Sequence, residues 1–132
     1  MNRLNYWLIV PAAGKGQRFG SHIPKQYLPL LGHTVMECTL NRLSFVPQIR
    51  QIIVPIHAQD NTAHSLNFSH REKMVFCEGG AERADSVLAG LETIATQANA
   101  NDWVLVHDVA RPCVRLSDIQ NLIHQLQDDA VG

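Results

Sequence analysis

Trp7-Leu8-Ile9-Val10-Pro11-Ala12-Ala13-Gly14-Lys15-Gly16-Gln17-Arg18 is the stretch that decides the fold. Four apolar residues stopped by a proline read as a short buried strand, and the small residues after it read as a loop. The loop runs from Pro11 to Lys25. Small residues let backbone N–H groups approach an anion, and Arg18 and Lys25 are two cations able to neutralise the rest of its charge. Two familiar phosphate binders are excluded. A Walker A loop needs Lys and Ser or Thr after its second glycine, where Ser21 and His22 stand. A dinucleotide fingerprint needs its third glycine where Phe19 stands, and no acidic residue closes a second strand at the expected distance. A tight turn with two solvated cations is the plainer alternative, but the Pro11-Ala12-Ala13-Gly14-x-Gly16 opening has no side chain to pack, which favours the anion site. Lys15, inside the loop, reads as solvated.

Outward from this loop, strands and helices alternate. Thr34-Val35-Met36-Glu37 is a capping box, and Met36, Leu40 and Leu43 follow at helical spacing, so a helix is expected over about 35–44, stopped before Pro47. Gln51 to Ile56 reads as a strand that frays, or lies near an edge, at Pro55. Residues 57–70 read as a loop with a helical turn, and Met74 to Cys77 as a strand closed by Gly79-Gly80. A second helix is expected over 85–96, with Val87, Leu88, Leu91, Ile94 and Ala95 on one face. Trp103 to Val106 reads as the strongest strand. Ser117-Asp118-Ile119-Gln120 reads as another capping box, followed by an apolar stripe of Ile119, Leu122, Ile123 and Leu126.

That alternation predicts βαβ units, a parallel sheet and a single α/β domain without repeat or linker. At 132 residues, 45% hydrophobic and 17% charged, the chain has an ordinary globular balance. A net charge of −1 gives no reason to expect a nucleic-acid or membrane surface, so a cationic site has to be local. Cys38, Cys77 and Cys113 are odd in number and far apart, which argues against a disulfide framework or zinc site and for a reducing cytoplasm. The apolar stretch from Tyr6 to Ala13 is too short for a membrane span.

Ligands of parallel sheets gather at the carboxyl ends of the strands, and three unusual loops are placed there, which predicts one site. In Gly79-Gly80-Ala81-Glu82-Arg83-Ala84-Asp85-Ser86, free backbone donors and the Ser86 hydroxyl suit the polar edge of a ligand. Taken alone, a helix cap by Asp85 or Ser86 is the better reading of that loop. Arg83 suits a phosphate or an exposed ion pair equally. In His107-Asp108-Val109-Ala110-Arg111-Pro112, Asp108 is placed to hold Mg²⁺ or another divalent cation on a triphosphate. Arg111 either orients Asp108 or meets phosphate, and His107 reads as a strand-end histidine with a satisfied hydrogen bond. No nucleophile elbow such as G-x-S-x-G occurs.

Three motifs in register now carry a resemblance. They are Pro11-Ala12-Ala13-Gly14-x-Gly16-x-Arg18 with Pro24-Lys25-Gln26-Tyr27, then Gly79-Gly80-x-x-Arg83-x-Asp85-Ser86-Val87-x-x-Gly90-Leu91, then Val106-His107-Asp108-x-Ala110-Arg111-Pro112. Over residues 8–126 the chain resembles the 2-C-methyl-D-erythritol 4-phosphate cytidylyltransferases of the non-mevalonate isoprenoid pathway. The resemblance implies a Rossmann-like fold of nucleotidyltransferase type, mostly parallel, with helices on both faces. It also implies CTP and methylerythritol phosphate as substrates, a divalent cation, a cytoplasmic location and a homodimer. Ala12, Ala13, Gly14 and Gly16 would approach the CTP phosphates and sugar, and Arg18 and Lys25 would be the catalytic cations. Gly80, Arg83 and Ser86 would surround the cytosine, and Asp108, with Ala110 beside it, would lie by the metal and ribose. Val109 stands where the family commonly has alanine. The family's chain runs well past position 132, so residues 1–132 are expected to be the nucleotide-binding part of one cytidylyltransferase domain, with the acceptor-binding residues beyond. A ribitol 5-phosphate-type cytidylyltransferase and a non-catalytic CTP-binding fragment are the two alternatives.

Overall fold

The computed structural model describes residues 5–13 and 24–128. Gly14, Gly16 and Arg18 lie outside the described residues. Four strands, β1 (Tyr6–Ile9), β4 (Ile49–Ile56), β5 (Met74–Glu78) and β6 (Trp103–Val106), form a sheet in the order β5-β4-β1-β6, parallel at every pairing. Three helices, α1 (Val35–Ser44), α2 (Arg83–Ile94) and α3 (Leu116–Asp128), fall between or after them. A small antiparallel hairpin, β2 (Pro29–Leu30) with β3 (His33–Thr34), precedes α1 and was not foreseen. Its turn places both Leu31 and Gly32 at positive φ, as a two-residue hairpin loop demands.

The alternation of side chains along β1 divides the core in two. Tyr6, Leu8 and Val10 enter a cluster with Met36, Leu40 and Leu43 of α1 and Ile123 of α3. Trp7 and Ile9 point the other way, onto Ile53 and Ile94 of α2. Helices therefore cover both faces, as expected of a doubly wound sheet.

The capping box at α1 forms in full. Glu37 N–H donates to Thr34 Oγ1 at 3.1 Å and Thr34 N–H donates to Glu37 Oε1 at 2.8 Å. Beyond α1, the Lys73 ammonium donates to the carbonyls of Ser44 and Val46 at 3.1 and 3.0 Å, which ties the end of that helix to the start of β5.

Three local expectations need correction. Pro55 is neither frayed nor at an edge: β4 is an interior strand, and Pro55 pairs with Cys77 of β5. Its carbonyl accepts from Ala12 N–H at 2.8 Å and Ala12 bridges to Ile56, so the chain after β1 still runs beside β4 and the proline removes one ladder donor without ending the strand. β6 forms where it was expected and, among the described residues, lies half-buried at the edge of the sheet, with Val106 exposed. The helix expected over 85–96 runs Arg83–Ile94, and its inward face is Ser86, Gly90 and Ile94; Leu88, Leu91 and Ala95 are exposed. Gly90 is the reason, because a Cβ there would stand 2.9 Å from Ile9 Cγ2, so the helix lies directly on β1 along that line. Finally, α3 begins at Leu116, and the Arg115 carbonyl accepts its first N–H bonds, so Ser117 lies inside the first turn instead of capping it.

Candidate functional site

The strand order reverses at β1: β4 and β5 lie to one side and β6 to the other. Such a switch point opens a crevice at the carboxyl ends of the strands. Three contacts bring the loops together there. His107 N–H donates to the Ile9 carbonyl at 3.0 Å, Ala12 N–H to the Pro55 carbonyl at 2.8 Å, and Gly79 N–H to the Ile56 carbonyl at 2.7 Å.

Gly79 is the tightest point. A methyl group on it would stand 2.7 Å from both Ala13 Cβ and Ser86 Oγ, so the first and second loops touch across this residue. Gly80 is equally constrained, since a Cβ there would lie 2.2 Å from that of Asp85. Its N–H donates to Ser86 Oγ at 3.1 Å, and Ser86 is buried. Asp85 receives the Glu82 N–H at 3.2 Å, the helix-capping role anticipated for it. Arg83 is the first residue of α2 and is exposed.

The third loop comes close to the second electrostatically. Burial holds His107 below the usual imidazole range, and the positive charges of Arg111 and Arg83 push the same way, partly offset by Asp108. The ring is therefore neutral near pH 7, and its Nδ1 donates to the Asp108 carbonyl at 2.8 Å. Asp108 is half-buried, and its Oδ1 accepts Ala110 N–H at 2.9 Å. Among the described residues Arg111 and Arg83 make no ion pair, so the Asp108–Arg111 bridge does not form. Val109 is buried in the core on which α1 and α3 pack. An open cavity of about 470 Å³ lies past β6, lined by His107, Arg111 and Arg115 among others.

On the other flank the Lys25–Tyr27 segment makes a single 3-10 turn with Lys25 exposed. Gln26 is buried and its Nε2 donates to the Ala12 carbonyl at 3.0 Å, which fastens the turn to the loop after β1. The Tyr27 hydroxyl donates to Asp60 Oδ2. An open cavity of about 260 Å³ lies between Ala12, Ala13, Gln26, Tyr27, His57 and Asp60. Gln26 and Tyr27 stand in the sequence only as part of the Pro24–Tyr27 motif and Gly79 only as a strand end, and no local spacing marks Asp60 as the partner of Tyr27.

The model of one family, IspD: 2-C-methyl-D-erythritol 4-phosphate cytidylyltransferase, matches residues 6–132. The chain belongs to this family. It is 48% identical over 132 residues to the 2-C-methyl-D-erythritol 4-phosphate cytidylyltransferase of Hahella chejuensis, covering all of this chain and 55% of that protein. The Vibrio atlanticus enzyme of the same name is 48% identical over 124 residues, covering 94% and 53%. The crystal structure of the Francisella tularensis cytidylyltransferase superposes with a TM-score of 0.77 at 38% identity, covering 96% of this chain and 54% of that one. The chain thus spans about half the length of the cytidylyltransferases it matches. Within that span, Ala12 and Ala13, the Gly79-Gly80 turn and the Asp108 loop all follow the carboxyl ends of sheet strands, and the first two touch at Gly79.

Proposed function

We propose that this chain is the CTP-binding part of an enzyme that transfers CMP from CTP to 2-C-methyl-D-erythritol 4-phosphate. The products are 4-diphosphocytidyl-2-C-methyl-D-erythritol and pyrophosphate. The observation that carries the reading is the contact of Ala13, Gly79 and Ser86, which joins two of the family's motifs in a crevice at the switch point. An oxygen of the acceptor phosphate attacks the α-phosphorus of CTP, a new P–O bond forms, and the bond to the β-phosphate oxygen breaks. Chemistry of this kind needs positioning and charge stabilisation more than a protein nucleophile. Arg18 and Lys25 supply the positive charge, Ala12, Ala13, Gly14 and Gly16 bring backbone close to the phosphates and sugar, and Gly80, Arg83 and Ser86 border the cytosine.

Asp108 with Ala110 is assigned to the ribose and the metal. Among the described residues no three His, Cys, Asp or Glu side chains gather as a protein-only metal site. A single half-buried carboxylate, with one oxygen engaged by Ala110 N–H, suits Mg²⁺, which takes one or two carboxylates and leaves its other positions to phosphates and water. When bound, the metal neutralises triphosphate charge. Among the described residues no helix is long and apolar enough to cross a membrane. A cytoplasmic homodimer completes the reading.

The test is an assay of the completed enzyme, the chain joined in frame to the remaining length of its Hahella chejuensis relative. With CTP, Mg²⁺ and methylerythritol phosphate, pyrophosphate is expected in equal amount to the diphosphocytidyl product. No product, or faster turnover with ribitol 5-phosphate, would overturn it.

A further inference from the structure

Lys25 is followed immediately by two residues that are anchored in different directions. Gln26 reaches back to the Ala12 carbonyl at 3.0 Å. Tyr27 packs against the core and gives its hydroxyl proton to Asp60 Oδ2. The other oxygen of Asp60 accepts the N–H groups of Thr62 and Ala63 at 2.8 and 3.1 Å, and Ala63 is fully buried. One carboxylate therefore ties the turn that carries Lys25 to the segment after β4, which is rooted in the core. Burial and the Asp60 carboxylate both raise the Tyr27 pKa far above its ordinary value, so the phenol remains a donor throughout the physiological range. Lys25 itself is exposed and its ammonium has no partner among the described residues. The backbone anchors, not the lysine's own contacts, set where that charge sits.

We propose that Asp60 and Tyr27 are positioning residues for the transfer reaction, holding the Lys25 turn against the segment after β4 so that its ammonium is presented to the transferring phosphate. This rests on the cytidylyl-transfer reading above. A misplacement of about 1 Å in a catalytic group can cost about a hundredfold in rate, so a latch two residues away has leverage without touching substrate. Gln26 restrains the turn towards the loop after β1, and Tyr27 with Asp60 restrains it towards the segment after β4.

The experiment is a double-mutant cycle in the completed enzyme. Tyr27→Phe, which keeps the ring in the core, is expected to lower kcat about ten- to a hundredfold while leaving KM for CTP within about threefold. Asp60→Asn, which retains an acceptor for Thr62 and Ala63 and an amide within reach of the Tyr27 oxygen, is expected to fall less than Asp60→Ala. In a Lys25→Ala background Tyr27→Phe should produce no further loss, because the group it positions is gone. An equal loss in both backgrounds, or an unchanged kcat for Tyr27→Phe, would overturn the proposal while leaving the transfer reading intact. Absence of turnover by the unsubstituted enzyme would overturn both.

Discussion

Gly79 packs so closely on Ala13 that a Cβ on the glycine would lie 2.7 Å from the alanine's own. Two loops separated by more than sixty residues of chain are thereby held in van der Waals contact at the carboxyl end of the sheet. Gly79→Ala has to push aside Ala13, Ser86 Oγ and Pro55 Cβ together, and overpacking of that kind costs about 1–3 kcal/mol. Because Ser86 also receives the Gly80 N–H, the displacement reaches the proposed cytosine-facing turn. The variant should show a lower urea midpoint and weaker CTP binding by calorimetry.

Acid should loosen the start of β1 through Asp102. This carboxylate accepts the Trp7 indole N–H at 3.0 Å, Asn5 N–H at 3.1 Å and Asn99 N–H at 2.8 Å. Partial burial would raise its pKa, but these donors outweigh burial and hold it below the usual carboxylate range. A carboxyl whose folded pKa is depressed contributes stability that is fully present above its unfolded value and lost as pH falls through the folded one. Urea melts between neutral pH and about pH 2 should therefore show stability falling below about pH 4. In Asp102→Asn part of that fall should disappear, together with a lower plateau at neutral pH.

Isolated from the rest of the family's length, the 132-residue chain should bind CTP but turn over little. Its β6 edge is half-exposed, Val106 is 44% exposed, and Leu88 and Leu91 of α2 are uncovered. Pyrophosphate release with CTP, Mg²⁺ and methylerythritol phosphate at a rate ordinary for enzymes, about 1–1000 per second, would contradict this.

Much of this was legible in the chain because local signals and tertiary packing agreed. The Thr34–Glu37 box, the β1 run and the placing of three loops at strand ends all rest on short-range chemistry, and all appear as read. Long-range geometry was harder. The apolar stripe on α2 pointed at Leu88 and Leu91, whereas the helix presents Gly90, because only a residue without a side chain fits against Ile9. Pro55 sits in an interior strand, because it costs the ladder one donor while its carbonyl still accepts Ala12 N–H and its other side pairs with Cys77. The Trp103–Val106 run forms the strand expected of it. The latch from Tyr27 to Asp60 links residues 33 apart, and no spacing rule joins such a pair.

If the cations of the first loop act on the transition state, Lys25→Ala in the completed enzyme is the decisive substitution. By analogy with the loss of an oxyanion-hole donor, kcat should fall about a hundred- to a thousandfold, roughly 2.7–4 kcal/mol, with a much smaller change in KM for CTP. Arg18→Ala should behave alike. A rise in KM with kcat unchanged would make Lys25 a binder of ground-state phosphate and would contradict the account.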